Sequence, residues 1–231
     1  MIITALDYDN SIAALEFVDR INPELTRLKV GKELFTRAGP QFVEQLQARG
    51  FDVFLDLKFH DIPNTVAGAL SAAASLGVWM VNVHAAGGPR MLDAARKAIP
   101  AYTQSGGTRL IAVTVLTSMD DAELQSVGVS HTAQDQVKKL TQLSVDHGLD
   151  GVVCSAQEVS HIRSFVPSSF LTVTPGVRPA VGSVSGDDQR RTMTPQEAAQ
   201  AGSDYLVIGR PITQSDNPVE SLQTIQSQIA I

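Results

Sequence analysis

The 231-residue sequence has a single cysteine, Cys154, so no internal disulfide can form, which agrees with a reducing compartment. Cys154 reads as buried filler rather than as a nucleophile. Positive charge is in deficit: 18 Lys and Arg against 24 Asp and Glu leave a net charge of −6. That balance argues against general nucleic-acid binding, which needs a basic surface to neutralise phosphates, and any basic residue that matters must act locally. No apolar run approaches the roughly 20 residues of a membrane-spanning helix, so no membrane partner is expected. The five histidines lack zinc-ligand spacing and no metal site is expected. There is no Gly-x-Ser-x-Gly elbow, dinucleotide fingerprint or phosphate-binding P-loop. The opening Met1-Ile-Ile-Thr-Ala-Leu-Asp7 has no basic segment or cleavage pattern and reads as a strand, so a cytoplasmic location is expected.

What is present is a rhythm. Short apolar runs alternate with helix-like stretches, as repeated βα units of a parallel sheet do. The strand candidates are Ile2 to Asp7, Arg27 to Val30, Asp52 to Phe59, Trp79 to His84, Leu110 to Leu116, Gly151 to Cys154, Phe170 to Thr174 and Tyr205 to Ile208. Helical patterns run over Ser11 to Ile21, Pro40 to Arg49, Thr65 to Leu76, Pro89 to Ile99, Ala133 to His147, Ala156 to Phe165 and Thr194 to Ala201. Eight such units without a linker predict one α/β domain over residues 1–231, a (β/α)8 (TIM) barrel. A doubly wound open sheet is the competing architecture. It would not bring the first and eighth strand ends together.

In a (β/α)8 barrel the active site gathers at the C-terminal ends of the strands, and the polar residues of this chain fall there. Asp7 ends the first strand, Lys29 lies near the end of the second, Asp56 and Lys58 end the third, and Asn82 and His84 end the fourth. Thr117, Ser155, Arg178 and the pair Gly209-Arg210 follow the last four. The third strand is the most informative, because charges are threaded through an otherwise apolar run. With a side-chain period of two, Phe54, Asp56 and Lys58 share one face and Val53, Leu55, Leu57 and Phe59 the other. Burying Asp and Lys costs several kcal/mol per ion unless they are paired. The strand alone leaves two readings, a structural ion pair that closes the barrel mouth or a lysine that delivers a proton to a bound substrate. Convergence of Asp7, Lys29, Asp56, Lys58 and Asp61 on one mouth favours chemistry over packing.

The loop Asp61-Ile-Pro-Asn-Thr65 reads as a helix start, with Thr65 and Asn64 as capping candidates. Gly209 and Arg210 suit an anion after strand eight, since glycine admits close backbone approach and arginine offers a planar fork of donors. A surface salt bridge is the alternative for Arg210. The stretch from Gly176 to Arg191 has neither helical nor strand periodicity and reads as a functional lid or a disordered loop.

These residues resemble the orotidine 5'-phosphate decarboxylase family, bacterial members most of all. The likeness spans essentially the whole chain. Its most specific part is Phe54-Leu-Asp-Leu-Lys-Phe-His-Asp-Ile-Pro-Asn-Thr65, which carries the family's Asp-x-Lys-x-x-Asp motif. Ala5-Leu-Asp7, Leu28-Lys-Val-Gly31, Val115-Leu-Thr-Ser-Met119, Thr174-Pro-Gly-Val-Arg-Pro179, Asp188-Gln-Arg-Arg191 and Ile208-Gly-Arg-Pro211 match in the same order. The segment from Pro179 to Gln189 looks longer than in close bacterial relatives.

The resemblance implies decarboxylation of orotidine 5'-phosphate to UMP without metal or organic cofactor. It implies that Asp7 and Lys29 hold the ribose hydroxyls, with Lys29 tied into the charged network. Asp56 lies against the substrate carboxylate, Lys58 protonates C6 and Thr117 contacts the pyrimidine. Arg178, Gln189, Gly209 and Arg210 bind the phosphate. Asp61 and Thr65 serve the neighbouring subunit's site in a homodimer. Two rivals remain: a Mg2+-dependent sugar-phosphate decarboxylase of the same barrel superfamily, and a catalytically silent nucleotide-binding barrel.

Overall fold

The structure, a computed structural model, describes residues 1–102, 106–178 and 193–229. Eight parallel strands succeed one another in chain order around a closed barrel: β1 (Ile2–Leu6), β2 (Arg27–Gly31), β3 (Val53–Phe59), β4 (Met80–His84), β5 (Arg109–Val113), β6 (Gly151–Val153), β7 (Leu171–Thr174) and β8 (Tyr205–Ile208). The ring closes where β8 pairs with β1, Val207 opposite Ile3, which excludes the open sheet. The connections carry α1 (Ser11–Val18), α2 (Lys32–Ala48), α3 (Pro63–Ser75), α4 (Pro89–Ala98), α5 (Asp121–Ser126), α6 (Ala133–Asp146), α7 (Val159–Arg163), α8 (Pro195–Gln200) and α9 (Arg210–Thr213), and α10 (Pro218–Ile229) follows. Among the described residues no helix is long and apolar enough to cross a membrane.

All eight anticipated strands are present. The helix expected from Pro40 begins earlier, at Lys32, and is kinked where Gly39 takes a φ of 68° and Pro40 restarts the turn. Gly77 and Gly148, both at positive φ, stop α3 and α6 as helix-terminating glycines do. Helices α5, α9 and α10 were not anticipated; α5 starts with a reciprocal capping box between Asp120 and Glu123.

Alternation along each strand sorts apolar side chains into two cores. Outward-facing Leu28, Val30, Leu55, Val81 and Val83 pack under helix residues such as Phe42, Leu46, Leu70 and Leu92. Inward-facing Ile3, Ala5, Phe54, Met80, Ile111, Val173 and Val207 fill the barrel itself. Each fully buried large side chain contributes about 1.5–3 kcal/mol by leaving water. At the N-terminal end the lumen is sealed by Trp79 edge-on to Tyr205, ring centroids 5.2 Å apart. The guanidinium groups of Arg27 and Arg109 sit 4.4 Å and 5.2 Å from the Trp79 ring centre, within cation–π range. Gly151 admits no larger residue, since a Cβ there would lie 2.4 Å from the Leu171 carbonyl oxygen on β7. The opposite, C-terminal end is left open.

Candidate active site

At the open end the register of β1, β2 and β3 places charges side by side. Lys29 on β2 lies between Ala5 of β1 and Phe54 of β3, and Asp56 lies beside Gly31. Asp7 is the first residue beyond β1. The side chains form an alternating row: Lys29 Nζ is 3.4 Å from both Asp7 Oδ1 and Asp56 Oδ2, and Lys58 Nζ is 2.6 Å from Asp56 Oδ1. Asn82 Nδ2 donates to Asp56 Oδ1 at 2.7 Å, so the buried carboxylate is held by two ammonium groups and an amide.

Lys58 does not reach this row by simple alternation, as the period-two reading supposed. Between β3 and β4 the register runs from Leu55 opposite Val81 to Phe59 opposite Val83, so β3 carries a bulge across Asp56, Leu57 and Lys58. Among the described residues Lys58 is the one non-glycine at positive φ, 53°. That left-handed backbone conformation is costly for a residue with a Cβ. The bulge takes the Lys58 N–H away from an ordinary ladder partner, and Asn82 Oδ1 accepts it at 2.8 Å. Strain at this residue aims the ammonium at the mouth.

Asp56 and Lys29, at the centre of the row, hold each other in their charged forms. Burial favours neutral Asp56, but Lys29, Lys58 and the Asn82 hydrogen bond outweigh it and hold the carboxyl below the ordinary Asp range. Burial likewise works against the charge on Lys29, and Asp56 and Asp7 overcome it, so its pKa lies above the usual lysine value. His84 sits just outside the row, its ring 5.5 Å from that of His60. Burial, then His60, Lys32 and Lys58, depress its pKa to about 4, so it is neutral in the physiological range.

The row forms one wall of a cavity of about 590 Å3 at the strand ends. Asp7, Lys29, Asp56, Lys58, Thr117, Arg178, Gly209 and Arg210 all line it, so most of the predicted set converges. Ala5, Phe54, Val113, Val153 and Val207 supply apolar lining. The cationic groups Arg178 and Arg210 come from the β7 and β8 connections; the Arg178 backbone is pinned by its N–H donating to the Met193 carbonyl at 2.9 Å. A cationic sector, an apolar patch and a dense charge array suit an anionic ligand with a flat, partly apolar body.

Asp61 and Thr65 do not line this cavity. Both are exposed in the single chain, and Asp61 Oδ1 accepts only from the adjacent Ile62 N–H, at 2.6 Å, among the hydrogen bonds resolved for it. The capping expectation for Asn64 and Thr65 is overturned: α3 starts at Pro63, so both lie inside its first turn, and the cap position, Ile62, makes no side-chain bond. Gln189, and residues 179–191 of the lid candidate that starts at Gly176, lie outside the described residues. Cys154 is buried, as expected, but also lines the cavity. The strand-end pattern places Asn82 at the mouth but assigns it no role, because an amide on an apolar strand declares its purpose only when the facing bulge is known.

Comparison with known proteins follows the same line. The model of the orotidine 5'-phosphate decarboxylase / HUMPS family matches residues 1–225. Orotidine 5'-phosphate decarboxylase of Saccharophagus degradans is 54% identical over 229 residues, covering 99% of this chain and 94% of that protein. The same enzyme of Pseudoalteromonas translucida is 58% identical over 228 residues, covering 99% and 96%. Among solved structures, that of orotidine 5'-phosphate decarboxylase from Lactobacillus acidophilus superposes with a TM-score of 0.86 at 36% identity, over 100% of this chain and 99% of that one.

Proposed function

We propose a mechanism for a chain that belongs to the orotidine 5'-phosphate decarboxylase / HUMPS family, a membership established by the family match and the full-length relatives. The protein is a carboxy-lyase of pyrimidine biosynthesis that converts orotidine 5'-phosphate to UMP and carbon dioxide. The observation that carries the mechanism is the ionised Asp56 set between Lys29 and Lys58 on the wall of the cavity.

Cleavage of the bond from C6 to the carboxylate leaves an electron pair on a ring carbon with no adjacent electron sink. The barrier must therefore fall by electrostatics. In this reading the substrate carboxylate lies against Asp56, whose charge disfavours the bound ground state, while the Lys58 ammonium stabilises the developing negative charge. As carbon dioxide departs, a Lys58 N–H bond breaks and its proton passes to C6; the resulting amine is reprotonated from solvent. Lys29 and Asp7 hold the ribose hydroxyls, and Thr117 contacts the pyrimidine. Arg178, Arg210, the Gly209 backbone and Gln189 bind the phosphate. Binding energy gathered at that remote end is spent at C6. The family name also covers the sugar-phosphate rival, and the identity of 54–58% to proteins named orotidine 5'-phosphate decarboxylases favours the nucleotide reaction.

The working unit in this proposal is a cytoplasmic, single-domain homodimer with Asp61 and Thr65 reaching the partner's site. Their exposure outside the cavity and the neighbouring Ile62, 68% exposed, support that placement. Two assays test the whole. Loss of orotidine 5'-phosphate absorbance should proceed undiminished with EDTA present, and a metal requirement would favour the sugar-phosphate rival. Mixing inactive Lys58→Ala and Asp61→Ala chains under exchange conditions should restore up to about a quarter of wild-type activity, since half the dimers would then hold one intact site. No recovery on mixing would reject the shared site.

A further inference from the structure

We propose that Asn82 is a positioning residue for the reaction: its amide bridges the Lys58 backbone and the Asp56 carboxylate, and so fixes the relative placement of proton donor and carboxylate. The proposal deepens the decarboxylase reading and rests on it.

Three observations meet at this side chain. Asn82 is fully buried on β4, opposite the bulge in β3, at the point where the register jumps from Val81 to Val83. Its Oδ1 accepts from Lys58 N–H at 2.8 Å and its Nδ2 donates to Asp56 Oδ1 at 2.7 Å. That same carboxylate oxygen receives Lys58 Nζ at 2.6 Å. The orientation of the amide is dictated by its partners, because a backbone N–H only donates and an ionised carboxylate only accepts. One side chain therefore closes a small ring running from the Lys58 backbone, through Asn82 and Asp56, to the Lys58 ammonium.

The ring explains how a left-handed lysine persists. The positive φ of Lys58 costs about 1–3 kcal/mol and survives only where its surroundings over-determine it. A hydrogen bond from the strained residue's own N–H to a buried acceptor does so locally. A carboxamide is also the side chain that suits the gap. Leucine offers neither donor nor acceptor, serine is too short to span both partners, and a carboxylate adds a like charge beside Asp56. Asn82 lies in the wall rather than among the cavity-lining residues, so its effect passes through Lys58 and Asp56.

The test uses two variants of the full-length enzyme. Asn82→Ala should lower kcat on the order of tenfold to a hundredfold while KM stays within about threefold, because the loss falls on the chemical step. Asn82→Asp is isosteric, and only its protonated carboxyl can reproduce the donor to Asp56. Its kcat, divided by that of wild type at each pH, should be low near pH 8 and rise as pH falls through the apparent pKa of the coupled carboxyl pair. The charged and titratable groups facing this position are Asp56 and Lys58 on β3, Lys29 on β2, Asp7 beyond β1, and the neutral His84 on β4 itself; its β5 partner is the uncharged Ile111. His84 has a pKa near 4 in the wild-type enzyme, on the acid side of the window, and any titration it shares between the two enzymes divides out of the ratio. In a crystal structure of Asn82→Ala, the φ of Lys58 should relax and its contact with Asp56 should be lost. Unchanged kcat in Asn82→Ala, a pH-independent activity ratio in Asn82→Asp, or a retained Lys58 geometry would each overturn the proposal. Wild-type enzyme inactive on orotidine 5'-phosphate would instead overturn the decarboxylase reading.

Discussion

The two ends of the barrel solve the same problem, how to finish a cylinder of strands, in opposite ways. The N-terminal end is closed by Trp79 and Tyr205, with the guanidinium groups of Arg27 and Arg109 within cation–π range of the Trp79 ring. The C-terminal end keeps Asp56 and Lys29 largely out of solvent, beside a cavity of about 590 Å3. One end uses cations to seal apolar surface and the other uses apolar surface to strengthen cations. Stability and chemistry are thereby assigned to different ends, which is the division the barrel fold favours.

Substitutions should separate along this axis. The largest effect is expected for Lys58→Ala, which removes the proton donor and one counter-charge of Asp56; kcat should fall by at least about 10⁴, while UMP binding persists in calorimetry. Near-normal turnover would end the proposed mechanism. Arg210→Ala should lower kcat/KM about 10²- to 10³-fold by removing charge-assisted bonds to phosphate, with partial recovery on adding phosphite dianion. At the other end, Trp79→Ala should cost about 3–5 kcal/mol in denaturant unfolding and leave kcat of the folded fraction within a factor of about two. A large kcat loss there would break the division between ends. The smallest effect concerns pH. The pKa of His84 is lowered in the folded state, so its contribution to stability is present above the unfolded value of 6.5 and is lost as pH falls toward about 4. Replacing it by Asn should flatten the acid side of the stability profile by about 1 kcal/mol, after allowance for solvent screening of a half-exposed ring.

Much of this division was legible in the residues, and the rest was hidden for identifiable reasons. Strands of a parallel barrel are short apolar runs, so Tyr205–Ile208 could be read off directly. Their C-terminal ends then collected Asp7, Lys29, Asp56, Lys58, Thr117, Arg178, Gly209 and Arg210 in one place. The short helix Arg210–Thr213 was not legible, because a single turn leaves no periodicity to detect. The bulge at Lys58 was hidden because period-two reading assumes an unbroken ladder, and only the register with β4 reveals the break. The bridging role of Asn82 was hidden with it, since its two partners lie 24 and 26 residues away in sequence.

The left-handed lysine also bears on how the protein would drift under selection. Glycine adopts that conformation without steric cost, and asparagine tolerates it better than lysine does. Relief of that strain is worth about 1–3 kcal/mol, but losing Lys58 alone strips the buried Asp56 of a counter-charge. A laboratory selection that scored only folding or heat resistance would therefore reward loss of Lys58 together with Asp56, and its survivors would be sturdier barrels with a silent mouth. Lysine at this position is a running record that turnover, and not durability, has decided what the third strand may contain.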